Sequence, residues 1–193
     1  MSAGRLFTER CILLPLEMRE VAARITSEDF FLPHAGLGLV HHGPDHPGDL
    51  LSIYPLLMAA AEHPEDHVTG TWTVVRRADL EAIGSIGVKG RPDDQGAVDI
   101  GYGFVPASWG QGFATEATGE VCRALLAQEV DLGAPVRELL ADTRVDNLAS
   151  QTVLRRCGFQ LVGERHDCHD GPQLHWRRQD QRLDPQSGRD AVR

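Results

Sequence analysis

At 193 residues with an ordinary share of apolar side chains, the chain is long enough for one domain with a sizeable core. No stretch approaches the roughly 20 apolar residues of a membrane helix. The excess of 28 acidic over 19 basic residues, a net charge of −9, excludes generic nucleic-acid binding, which rests on neutralising phosphates. It leaves room for a small anion held by backbone N–H groups, and it favours a cationic, amine-bearing substrate.

Met1 to Arg10 carries charges on both sides of Leu6-Phe7 and no long apolar run, so no secretory leader is expected. Leu6 to Leu16 reads as an opening strand closed by Pro15, and residues 17 to 25 as a short helix. Phe31 to Gly48, rich in Gly, Pro and His, reads as a long irregular loop of the kind that often carries function. Asp49 caps an expected helix whose apolar face runs from Leu50 to Ala61. Three strands follow, at Val68 to Arg76, Leu80 to Lys89 and Ala97 to Val105. The last of these alternates, with Val98, Ile100, Tyr102 and Phe104 on one face. Its connection to the preceding strand, Gly90 to Gly96, is a turn-rich hairpin.

A helix is expected from about Phe113 to Glu129, with Ala114, Ala117, Val121, Ala124 and Leu125 as its apolar stripe. Val136 to Thr143 is a strand, Asn147 to Cys157 a helix, and Gly158 its left-handed terminator. Phe159 to Glu164 and Leu174 to Arg178 make a last strand pair. The order implies an α+β fold with one sheet in a single domain over residues 1–178, followed by a polar tail over 179–193. The four cysteines, Cys11, Cys122, Cys157 and Cys168, form no Cys-x-x-Cys pair, so neither a zinc knuckle nor a redox dithiol is expected. Cys122 and Cys157 read as small helix-face residues, and a reducing cytoplasm fits best.

The most informative junction is the one where a strand ends at Pro106 and a helix opens after Trp109-Gly110-Gln111-Gly112. Glycine admits positive φ and lets a ligand approach without a Cβ in the way. The first N–H groups of a helix have no internal partner and, with the helix dipole, suit a pyrophosphate. Gly110 to Thr115 is therefore either an anion site or an ordinary strand-to-helix turn. No Gly-Lys-Ser/Thr follows, so it is not a Walker loop, and Thr115 holds the place of the third glycine of a dinucleotide fingerprint.

The run Trp109-Gly110-Gln111-Gly112-Phe113-Ala114-Thr115-Glu116-Ala117 resembles motif A of the GNAT acetyltransferases, in the form typical of the Rim-type branch that acetylates ribosomal-protein N-termini. Trp109 stands where many members have arginine. Asp99-Ile100-Gly101-Tyr102 resembles the strand before that motif, and Asp146 to Phe159 resembles motif B. The resemblance covers roughly residues 6 to 178. It implies a mixed, mostly antiparallel sheet of about seven strands, splayed at the centre, with helices on both faces. It also implies acetyl-CoA as co-substrate, its pyrophosphate on Trp109, Gly110, Gln111, Gly112, Phe113, Ala114 and Thr115. The pantetheine arm would lie between strands 97–105 and 136–143, pairing with the backbone of Phe104 and Val105.

Asn147 would bond the arm from the opposite side, and it also suits a helix N-cap. Ser150 would face the thioester sulfur and stabilise the leaving thiolate. Asp99, opposite in face to Val98 and Ile100, is the candidate general base, or a structural carboxylate at the sheet edge. Glu116 in the first helical turn reads as structural, since a carboxylate there favours the dipole. The implied reaction is direct transfer of acetyl to a primary amine, of a peptide or protein N-terminus or a small molecule, without a covalent enzyme intermediate. The expected partners are acetyl-CoA and the amine-bearing acceptor, with a homodimer as candidate assembly and neither nucleic acid nor membrane. The alternative is a CoA-binding module without turnover. His34, His41, His42 and His46 lie in the stretch expected to cover the acceptor, and their spacing is too irregular to predict a metal.

Overall fold

A computed structural model describes residues 4–47, 70–167 and 171–179. Along them run β1 (Leu6–Phe7), β2 (Cys11–Pro15), α1 (Met18–Thr26), β3 (Phe30–His34), β4 (Gly38–His42), β5 (Thr71–Arg76), β6 (Glu81–Lys89) and β7 (Ala97–Phe104). They are followed by α2 (Phe113–Leu126), β8 (Glu138–Arg144), α3 (Leu148–Arg156), β9 (Gln160–Asp167) and β10 (Gly171–Gln179). One sheet runs in the order β1-β2-β5-β6-β7-β8-β10-β9, and the β3–β4 hairpin joins it through β4 and β6. Among the described strands only β7–β8 and β4–β6 pair in parallel. The expected helix over 49–61 lies outside the described residues, as do Cys168 and residues 180–193; Gln179 itself closes β10.

The α+β class and the mixed, mostly antiparallel sheet match the sequence, while the described residues form ten strands where the resemblance implied about seven. The additional strands have local causes. The opening strand breaks at Thr8-Glu9-Arg10 and folds on itself, pairing Leu6 with Leu13 and Phe7 with Ile12. Phe31 to Gly48 is not an irregular loop throughout, because Phe30–His34 and Gly38–His42 form a hairpin. Gly36 (φ 76°) and Gly38 (φ 96°) supply its turn, which other residues would enter only with strain. Histidines hide its strand pattern by taking positions that usually hold apolar residues. Phe30 stacks on His42 with centroids 4.7 Å apart, and Phe31 on His41 at 4.6 Å.

The core lies between the sheet and the helices α2 and α3. Val98 and Ile100 on β7 and Leu139 and Ala141 on β8 meet Ala117, Val121, Ala124 and Leu125 on α2 and Leu154 on α3. The predicted stripe of α2 is thus the buried one, except that Ala114 is only half-buried. The helix stops at Leu126, three residues short of Glu129. Gln128 takes φ 59° and its side chain brackets the main chain of Val136, accepting from its N–H at 3.0 Å and donating to its carbonyl. That reversal delivers the chain into β8. α1 packs on the opposite face, where Glu20 accepts a hydrogen bond from Thr73 of β5 at 2.5 Å. No helix among the described residues is long and apolar enough to cross a membrane.

Leu125→Ala is expected to lower the unfolding free energy by about 3 kcal/mol, in the range for truncating a fully buried leucine. Urea unfolding followed by circular dichroism measures it; a loss under about 1 kcal/mol would put this face of α2 outside the core.

Candidate active site

The parallel ladder between β7 and β8 covers only Ala97 to Asp99 against Glu138 to Leu140. Beyond it the strands part. β8 continues against β10 as far as Arg144, and β7 against β6 as far as Phe104. Val105 donates its N–H to Ile83 of β6 at 2.9 Å, so strand alternation directs the main-chain groups of Tyr102 and Phe104 to the other edge, toward the gap.

A cavity of about 460 Å³ opens at this gap. Phe104, Trp109, Gly110, Gly112, Ala114, Thr115, Asn147 and Ser150, all expected at the site, line it. Gln111, Phe113, Val105 and Asp99 do not. Gln111 is exposed, donating its side-chain amide to the Ala107 carbonyl. Phe113 is buried with the Arg10 guanidinium 4.5 Å above its ring. Val105 cannot offer its main chain to the arm as expected, because its N–H is held by Ile83 and its carbonyl accepts from Ser108. Tyr102 takes that place at the gap, missed because its alternation marks it as core.

Gly112 (φ 83°) is the N-cap of α2 and Gly110 (φ 71°) precedes it. Both glycines line the cavity together with Ala114 and Thr115, so the first turn of α2, whose N–H groups have no intrahelical partner, borders it. A Cβ on Gly110 would meet no protein atom within 4 Å, so the space beside it is open to a ligand. Trp109 swings back, its indole donating to the Phe104 carbonyl at 2.6 Å. Asn147 does cap α3, its Oδ1 accepting from the Ser150 N–H at 3.0 Å, while it also lines the cavity. The Ser150 carbonyl accepts from the Tyr102 hydroxyl at 3.1 Å, and burial holds the Tyr102 phenol well above its ordinary pKa. Arg156 lines the cavity as a cation, whereas Arg155 packs 5.0 Å over the Trp176 ring.

A family profile described as "Acetyltransferase (GNAT) domain" matches residues 41–160, more than half of the chain. The chain belongs to the GNAT acetyltransferase family. The GNAT domain is 30% identical over 91 residues to an uncharacterized N-acetyltransferase, YjdG, of Bacillus subtilis, a match covering 47% of this chain and 51% of that protein. The chain thus spans about half the length of the curated relatives it matches. Its fold is similar to that of a ribosomal-protein-S5-alanine acetyltransferase from Vibrio fischeri (TM-score 0.63, 13% identity, 94% of this chain and 100% of that one). It is also similar to Mycobacterium smegmatis RimJ in complex with CoA-disulfide (TM-score 0.56, 21% identity, 90% and 84%).

The opposite face of the GNAT sheet carries the other polar groups. Asp99 is half-buried there, on the last paired rung before the strands part. Two residues beyond Leu140, Asp142 of β8 accepts from Arg165 at 2.5 Å and meets His175 Nδ1 of β10 at 2.7 Å. Sequence spacing could not show this carboxylate–imidazole pair, because 33 residues separate its members. Among the described thiols, burial raises Cys11 and Cys157 to about 11 and Cys122 to about 12, so these three are poor nucleophiles at neutral pH.

Glu116 has the structural role its position suggested. It accepts from Thr8 Oγ1 (2.6 Å), the Arg10 N–H (2.8 Å) and Arg10 Nε (2.6 Å), tying the first turn of α2 to the β1–β2 turn. Burial raises its pKa, but the bonds from Thr8 and Arg10 and the Arg10 charge outweigh that and hold it below the ordinary 4.5. A depressed carboxyl contributes stability that is full above 4.5 and is lost as pH falls through the folded value. Glu116→Gln is therefore expected to lower Tm at pH 7 and to approach the parent as pH drops below 4.5, read by thermal denaturation at several pH values. A Tm difference independent of pH would remove the ionic role.

Proposed function

We propose that this chain is an acetyl-CoA-dependent N-acetyltransferase acting on a primary amine, and the observation that carries the reading is the gap between β7 and β8 leading to the N-terminus of α2. The gap suits a slender chain of amides, because an extended ligand can pair with the open edge of β7 at Tyr102 and, by displacing the Trp109 indole, at Phe104, as a peptide strand would. The N–H groups of Gly110 to Thr115, with Arg156 beside them, suit a pyrophosphate. Asn147 lies across the cavity, where its amide N–H can reach the arm while Oδ1 keeps its cap.

The amine attacks from the opposite face. Its lone pair forms the C–N bond at the thioester carbonyl, the carbonyl oxygen becomes an oxyanion, and the C–S bond breaks as the thiolate leaves. The chain holds both partners in place and moves the protons. Asp99 accepts the amine proton, directly or through water. Ser150, at the cavity wall, donates a hydrogen bond from its hydroxyl to the leaving sulfur, and the Tyr102 hydroxyl holds the Ser150 carbonyl. The net charge of −9 draws a cationic acceptor. The fold shared with the ribosomal-protein-S5-alanine acetyltransferase supports a peptide or protein α-amine first and a small-molecule amine second.

Gly112→Val is expected to raise the acetyl-CoA Kd by about tenfold or more, roughly 1.4 kcal/mol, because valine at φ 83° distorts the N-cap of α2. Calorimetric titration measures it, and an unchanged Kd in a folded variant would sink the cofactor placement. Asp99→Asn is expected to lower kcat by about a hundredfold at neutral pH while leaving the acetyl-CoA Kd within about twofold. Equal rates for variant and parent, with a collapse in His175→Gln, would move the base to His175. Thiol release over a panel of amines and N-terminal peptides tests turnover itself. CoA binding with no release from any amine would favour the module without turnover.

A further inference from the structure

On the face of the sheet opposite α2, three buried side chains, each with an unpartnered polar atom, come together. Glu20 comes from α1, His42 from the end of β4 and His46 from the turn that follows it. Their relative exposures are 1%, 0% and 2%. One ligand-type atom from each lies within 4.8 Å of the other two, and His42 Nδ1 is 3.7 Å from Glu20 Oε1. Glu20 Oε2, His46 Nδ1 and both nitrogens of His42 have no hydrogen-bond partner. A buried polar atom without a partner is costly, and four in one place need a common explanation.

We propose that Glu20, His42 and His46 form a binding site for a divalent transition-metal ion of the zinc class. The donor set is the first reason. Two imidazoles and one carboxylate suit zinc, cobalt or nickel, whereas magnesium and calcium prefer all-oxygen sets. The second reason lies in the atoms that are already paired. Thr73 Oγ1 donates to Glu20 Oε1 at 2.5 Å, and Ser85 Oγ meets His46 Nε2 at 3.3 Å. Each bond holds a side chain of the set in place from outside it, as outer partners do around metal ligands. The His42 ring is fixed by stacking on Phe30 at an interplanar angle of 6°.

Ligand atoms about 2 Å from a tetrahedral ion stand about 3.4 Å apart, so side-chain rotations of about 1 Å close the set. Arg24 flanks the site, with its guanidinium donating to the Gly43 carbonyl at 2.7 Å and packed over Phe30. The ion would staple α1 and the β3–β4 hairpin to β5 and β6. Ser85 pairs across strands with Gly103 of β7, so this staple stiffens the wall one strand from the gap on the acceptor face.

The test uses the full chain, treated with chelator, dialysed and titrated with Zn²⁺ by calorimetry and with Co²⁺ by visible absorption. One ion per chain, a Kd below about 1 μM, a four-coordinate Co²⁺ spectrum and a Tm raised by about 5 °C or more are expected. Glu20→Gln and His46→Gln, shown folded by circular dichroism, are expected to weaken binding by about a hundredfold; His41→Gln, outside the set, is expected to bind as the parent does. A stoichiometry far below one, a six-coordinate Co²⁺ spectrum, or unchanged affinity in the Glu20 and His46 variants would overturn the proposal. If those variants do not fold, the stoichiometry, spectrum and Tm shift of the parent chain decide it.

Discussion

Two central strands that stop pairing in mid-sheet leave main-chain donors and acceptors facing a gap, and a fold tolerates that only where water, a side chain or a ligand pairs them. β7 and β8 stop after Asp99 and Leu140. Their other edges stay satisfied by β6 and β10, so the gap does not unravel the sheet. The open edge is itself partly managed: the Trp109 indole sits on the Phe104 carbonyl, and the Tyr102 hydroxyl bridges to the Ser150 carbonyl across the opening. Both contacts are single hydrogen bonds worth about 1 kcal/mol net, small enough for a ligand to displace.

The gap also divides the domain into two chemistries. On the α2 side the groups that face a ligand are main-chain N–H groups at a helix start and the cap of α3. Glu116 fixes that helix start from below by drawing Thr8 and Arg10 onto its carboxylate, so the turn that breaks the opening strand and the turn that opens α2 are one assembly. On the other side the groups are side chains: Asp99, the Asp142–His175 pair and the buried Glu20, His42 and His46.

That division explains how much was legible in the sequence. The α2 side depends on backbone conformation, and residues with special backbones announce it. Gly110 and Gly112 do take positive φ, Asn147 does cap its helix, and Gly158 does terminate it. Strand alternation at Ala97 to Phe104 placed the central strand to within a residue. Where legibility failed, a side chain had overridden a local rule. Histidines filled the apolar positions of the β3–β4 hairpin and disguised it as loop, and Gln128 ended α2 early by clasping Val136. Val105 looked like a gap-lining residue until the ladder showed its N–H turned to Ile83.

The acceptor face could not be read in advance for a different reason. Its groups converge from distant parts of the chain, Glu20 with His46 and Asp142 with His175, and no spacing rule links residues on separate strands and helices. Composition constrains them only through the acidic balance, which a cationic amine would favour but which fixes no geometry. The two clusters on this face also differ in kind. The Asp142–His175 pair is partly exposed beside the gap, at 14% and 29% side-chain accessibility, and can meet a substrate. The Glu20–His42–His46 set is sealed from solvent, so it can bear on the gap only through the strands that surround it. The open pair therefore presents charge at the surface beside the gap, and the sealed cluster presents none.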